Sequence, residues 1–115
     1  MKGTHKLSII SRHLRYEMIF SRNLTVIQGN SATGKTTMID MIQAYLENGP
    51  DAGITLSCDC PCRAISGNTW QEQLAHIEDS IVFIDEGNRF VSSVDFAEAV
   101  RGSSNYFVIV TRGPL

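Results

Sequence analysis

The sequence predicts an α/β domain: a mainly parallel sheet with flanking helices, to which an opening hairpin adds an antiparallel edge. Three observations carry this. Short apolar runs alternate with segments of helical period, which is the pattern of strands joined by crossover helices. Leu14, Tyr16, Met18 and Phe20 alternate with Arg15, Glu17 and Ser21, Ile19 aside, the mark of a half-exposed antiparallel strand. The run Ile81-Val82-Phe83-Ile84 is apolar throughout, as in a strand covered on both faces.

The elements follow in order. Leu7 to Ile10 reads as a short strand. Leu14, Tyr16, Met18 and Phe20 then interleave with Arg15, Glu17 and Ser21, so the two strands form a hairpin turning near Arg12 and His13. Leu24 to Gln28 is an apolar strand that runs directly into a glycine-bearing loop. From Lys35 the period changes, and Met38, Met41, Ile42, Tyr45 and Leu46 share one helical face until Asn48, Gly49 and Pro50 stop it. Ile54 to Ser57 is a further strand candidate. Thr69 and Glu72 have capping-box spacing, which predicts a helix with Trp70, Leu74 and Ile77 as its buried stripe. After the Ile81–Ile84 strand, Ser92 or Ser93 caps a helix over Val94 to Val100. Tyr106 to Val110 is the last strand.

The chain of 115 residues suits one domain, 1–115, with one core. No apolar run approaches the roughly 20 residues of a membrane span. The basic-then-apolar pattern of a secretory signal is absent from the opening segment, so a soluble, cytoplasmic protein is expected. Net charge is −2, unevenly spread. Lys2, Lys6, Arg12, Arg15 and Arg22 crowd the first segment with Glu17 as its sole acid, while every other acid lies between Asp40 and Glu98. Such a ribbon suits nucleic acid or an acidic protein partner, but a solvated hairpin face explains it more simply. A second copy of the chain is a further partner class.

Chemistry concentrates at Gly29-Asn30-Ser31-Ala32-Thr33-Gly34-Lys35-Thr36, which satisfies G-x-x-x-x-G-K-S/T. A loop wrapped around a phosphate points its N–H groups inward. Gly29 and Gly34 permit close backbone approach. The next helix offers its free N–H groups and positive dipole end to the same anion. Lys35 reaches the β- and γ-phosphates, the Thr36 hydroxyl ligates Mg²⁺, and Thr37 supports the α-phosphate. The expected cofactors are ATP and Mg²⁺. The second site is Asp85-Glu86, closing an apolar strand. In a parallel sheet the carboxyl ends of strands line the ligand crevice. There Asp85 can hold Mg²⁺ through its water shell, and Glu86 can accept a proton from the attacking water.

With these motifs, the chain resembles the P-loop NTPases of the additional-strand, catalytic-glutamate division. Leu24 to Thr37 and Ile81 to Glu86 carry the resemblance, and the opening hairpin is similar to the ATPase heads of ABC-type and chromosome-maintenance or recombination proteins. The resemblance implies that the strand after Asp85-Glu86 inserts between it and the loop strand, and that Thr111 at its end senses the γ-phosphate. It departs from the family in three ways. No Leu-Ser-Gly-Gly-Gln-like signature occurs, no Asn-Lys-x-Asp stretch selects guanine, and the chain stops after the fourth core strand, where the division usually has a fifth. A minimal version or a fragment lacking the final strand is expected.

Three function classes follow. The first is a Mg²⁺-dependent ATPase that couples nucleotide state to a partner. The second is a nucleotide or small-molecule kinase, although no arginine-bearing lid insertion is evident. The third is a non-catalytic nucleotide-binding module. Arg89, Arg101 and Arg112 are candidate γ-phosphate contacts, Arg112 the best placed; singly, each reads better as a surface cation. Cys58, Cys60 and Cys62 alternate, so an extended segment sets them on one side. With His76 they could form a tetrahedral zinc site, but the spacing is tight, Pro61 intervenes, and buried structural thiols are favoured.

Overall fold

The computed structural model describes residues 3–11, 15–28, 38–85 and 87–111. The opening segments form β1 (His5–Ile10) and β2 (Arg15–Phe20), paired antiparallel with Leu7 opposite Met18 and Ile9 opposite Tyr16. Alternation decides which side faces inward: Leu7, Ile9 and Phe20 are buried, while Lys6, Arg15, Glu17 and Ile19 face solvent. The turn expected at Arg12 and His13 lies outside the described residues.

The hairpin is not an edge of the parallel sheet. The strand expected over 54–57 forms one residue later as β4 (Thr55–Cys58), and it pairs antiparallel with β1, Ile9 opposite Leu56. The result is a separate three-stranded sheet of order β2-β1-β4. The reason is the apolar face of β1. Leu7 and Ile9 are fully buried in a cluster with Phe83 and Val108 of the other sheet, so β1 packs over that sheet as a layer.

The parallel sheet contains β3 (Leu24–Gln28), β5 (Cys62–Ala64), β6 (Ile81–Asp85) and β7 (Tyr106–Thr111), in the order β3-β7-β6-β5. The strand following Asp85 thus lies between the Asp85 strand and Leu24–Gln28, the order that the resemblance implied. β5 was not foreseen, because three residues after a proline, with exposed Arg63 in the middle, show no apolar run.

Helices cover the sheet on both sides. Residues 81–84 are all fully buried and split by parity: Ile81 and Phe83 face the cluster that includes Met41 and Ile42 of α1 (Met38–Asn48). Val82 and Ile84 face Trp70 of α2 (Trp70–Leu74) and Phe96 and Val100 of α3 (Val94–Arg101). Each such side chain contributes about 1.5–3 kcal/mol by leaving water, so this strand, with Tyr106 to Val110 buried on the next, anchors the fold. β3 is an edge strand. Its Leu24 and Val26 lie in register with buried Phe107 and Ile109 yet stay exposed.

Helix ends show where local signals held. Gly49, at φ +61, stops α1 as expected, but Leu46 points to solvent rather than into the core. Ser93 caps α3, its Oγ accepting from the Phe96 N–H at 3.1 Å. The capping box at Thr69 does not form. Gln73 reaches back instead, donating to Thr69 Oγ1 at 2.9 Å and to the Ser66 carbonyl at 2.7 Å, and α2 ends at Leu74, short of Ile77. Ile77 still packs in the same cluster as Trp70 and Leu74. Among the described residues no helix is long and apolar enough to cross a membrane.

Candidate functional site at the carboxyl edge of the parallel sheet

Strand register brings two of the predicted residues, Asp85 and Thr111, to one edge. Gln28 pairs with Thr111, and Asp85 pairs with Val110. Asp85, Thr111 and the last residue before Gly29 therefore close three adjacent parallel strands at the same end. This is the end where parallel sheets bind ligands.

The half-buried Asp85 is held by its own turn. Its Oδ1 accepts from the Gly87 N–H at 2.8 Å, and its carbonyl accepts from the Asn88 N–H at 3.1 Å and from Asn88 Nδ2 at 2.9 Å. A Cβ on Gly87 would come within 3.3 Å of Asp85 Oδ1, so glycine leaves the carboxylate room to approach the backbone. Thr111 Oγ1 donates to the Ile27 carbonyl at 3.4 Å, a long bond that leaves the hydroxyl exchangeable.

The neighbouring loop is tied in. Asn88 Oδ1 accepts from the Gly67 N–H at 2.9 Å, linking the segment after β6 to the one after β5. Between them is a cleft of about 240 Å³ lined by Gly67, Asn68, Trp70, Asn88, Arg89 and Phe90. Trp70 and Phe90 stack there at 4.8 Å between ring centroids. Trp70 is thus both a core residue, as expected, and one wall of the cleft. Asn88 and Gly67 escaped the sequence reading, because nothing in their spacing shows that two loops share a hydrogen bond.

The loop Gly29, Asn30, Ser31, Ala32, Thr33, Gly34, Lys35, Thr36 and Thr37 lies outside the described residues, as do Glu86 and Arg112. Arg89 and Arg101 are exposed. On the basic ribbon, Lys6, Arg15 and Arg22 are exposed, and Arg15 pairs with Glu17 at 2.8 Å, which holds the Glu17 carboxyl below its usual range. This is how a solvated face behaves, and such exposed pairs add little stability.

The cysteines gather at the opposite end of the strands. Cys62 is buried and opens β5, whereas Cys58 and Cys60 are half-buried. Burial, with a hydrogen bond from Cys58, pushes the Cys60 thiol up to about 12, so it is protonated at neutral pH and unsuited to nucleophilic catalysis. Burial likewise raises Cys62. The expected partner His76 is exposed and does not join them; the histidine beside Asp59 and Cys60 is His5.

No protein-family model, curated protein or solved structure matches the chain.

Proposed function

We propose that the chain binds ATP with Mg²⁺ at Gly29–Thr36 and hydrolyses it to switch the state of a partner. One observation carries the reading. The strand that enters the Gly29–Thr36 motif ends beside Thr111, and Asp85 closes the next strand but one, so both lie within reach of a ligand at that edge. On this reading Lys35 holds the β- and γ-phosphates and Thr36 ligates the metal. Asp85 orients the Mg²⁺ water shell, Glu86 accepts the proton of the attacking water, and Thr111 contacts the γ-phosphate. The sheet order β3-β7-β6-β5 supports a place in the additional-strand, catalytic-glutamate division of P-loop NTPases.

Calorimetric titration with ATP, ADP and GTP plus Mg²⁺, followed by phosphate release on the same sample, tests it. Lys35→Ala should abolish binding, and Glu86→Gln should keep binding while losing turnover. Turnover that persists in Glu86→Gln removes that residue as the base. Turnover that needs an added acceptor turns the assignment to a kinase, and tight ATP and ADP binding without turnover turns it to a regulatory module. A protein that binds no nucleotide ends the proposal.

A further inference from the structure

A second constellation lies beyond the far end of β6, whose four strand steps, about 13 Å, separate Ile81 from Asp85. β4 belongs to the antiparallel sheet and β5 to the parallel one, and only Asp59, Cys60 and Pro61 separate them. The side chains of this junction meet the first strand. His5 Nδ1 and Asp59 Oδ1 are 2.9 Å apart, Cys58 Sγ lies 3.7 Å from Asp59 Oδ1, and Cys58 Sγ lies 3.7 Å from Cys60 Sγ. The donor atoms of His5, Asp59 and Cys60 all fall within 4.8 Å of one another. The His5 ring is fixed from behind by Tyr106, which it meets edge-on with centroids 5.7 Å apart. Tyr106 in turn donates its hydroxyl to the Gly3 carbonyl at 2.6 Å, anchoring the start of β1.

The Cys58–Cys60 and Cys58–Asp59 spacings are close to two edges of a tetrahedral metal shell. With zinc–sulfur bonds of about 2.3 Å and zinc–oxygen or zinc–nitrogen bonds of about 2.0 Å, tetrahedral angles set two sulfurs about 3.8 Å apart, sulfur and oxygen about 3.5 Å, and nitrogen and oxygen about 3.3 Å. The Cys58–Cys60 edge already agrees, and the Cys58–Asp59 edge is slightly long. The His5–Asp59 contact is shorter because it is a hydrogen bond, and a metal replacing that proton opens it by a few tenths of an ångström. We propose that His5, Asp59 and Cys60 bind one Zn²⁺ ion, with Cys58, which lies beside Asp59 and Cys60 and must swing its Sγ toward His5, as the fourth ligand. Two sulfurs, one imidazole and one carboxylate make a borderline-soft set that suits zinc and disfavours Mg²⁺ and Ca²⁺. Four protein ligands make a closed, structural site. The ion clamps the opening strand to the crossover between the sheets, and binding expels the thiol protons.

The test uses the full chain, stripped with chelator and kept reduced, without nucleotide. Co²⁺ should bind one per chain, giving the intense visible bands of tetrahedral cobalt and near-ultraviolet sulfur-to-cobalt absorption, both bleached by one equivalent of Zn²⁺. In competition with a chromogenic chelator, Cys60→Ser and His5→Ala should each weaken Zn²⁺ binding by at least about tenfold. His76→Ala and Lys35→Ala should match the wild type, which separates this site from the nucleotide proposal. Should Cys60→Ser not fold, His5→Ala decides alone, since that ring lies at the margin of the core. A pale octahedral cobalt spectrum, or wild-type Zn²⁺ affinity in His5→Ala, overturns the assignment.

Discussion

Asn105→Ala should destabilise the protein more than its small volume change suggests. Asn105 is 2% exposed, on the residue just before β7, and its side chain fastens that strand to the approach of β6. Its Oδ1 accepts from the Ser80 N–H at 2.9 Å, and its Nδ2 donates to the Ile77 carbonyl at 3.1 Å and to Ser103 Oγ at 3.0 Å. Ser80 is itself 3% exposed, so its N–H loses its partner where water has little access. An orphaned buried donor costs about 1–3 kcal/mol. Ile77 and Ser103 are half-buried and recover part of their bonding from solvent, so their bonds add about 1 kcal/mol together. The expected loss is about 2–4 kcal/mol. With a urea slope of about 2 kcal/mol/M, the midpoint falls by about 1–2 M at unchanged slope. Equilibrium unfolding followed by Trp70 fluorescence and far-ultraviolet dichroism measures it. A loss under about 0.5 kcal/mol would show that the Ser80 N–H finds another partner and that Asn105 does not lock the strand pair.

Three further outcomes are expected. Ser93→Ala removes the acceptor for the Phe96 N–H and should cost about 1 kcal/mol by the same urea assay; no change would mean the cap is satisfied by solvent. Trp70, the single tryptophan, walls the cleft beside Asn88, so its emission should shift on adding Mg²⁺ and ATP and stay unchanged in Lys35→Ala. A flat signal under conditions where calorimetry records binding would uncouple the cleft from the nucleotide edge. Zn²⁺ at about 100 times its dissociation constant should stabilise the chain by about 2.7 kcal/mol, read as a higher thermal midpoint that chelator reverses. An unchanged midpoint would mean that zinc does not favour the folded state.

Sequence alone determined the elements whose reasons are local. The apolar run 81–84 announced a strand covered on both faces, Gly49 announced the end of α1, and Ser93 was one of two foreseen caps. The candidate nucleotide residues come from the sequence alone, because phosphate chemistry demands particular residue types at fixed spacing along one loop, and that loop lies outside the described residues. Local signals failed where the deciding partner was distant in the chain. Thr69 and Glu72 have capping-box spacing, but Gln73, held by the Ser66 carbonyl, takes the Thr69 hydroxyl. β5 exists because Cys62, Arg63 and Ala64 pair with Ile81, Val82 and Phe83 on another strand, not because they form an apolar run. Only the tertiary structure decided that the hairpin takes up β4 as a layer of its own, and that His5 rather than His76 stands beside Cys60. The physical reason is common to all four. Hydrogen-bond partners, burial and metal-like distances are set by which surfaces meet when the core closes, and no short stretch of chain contains that information.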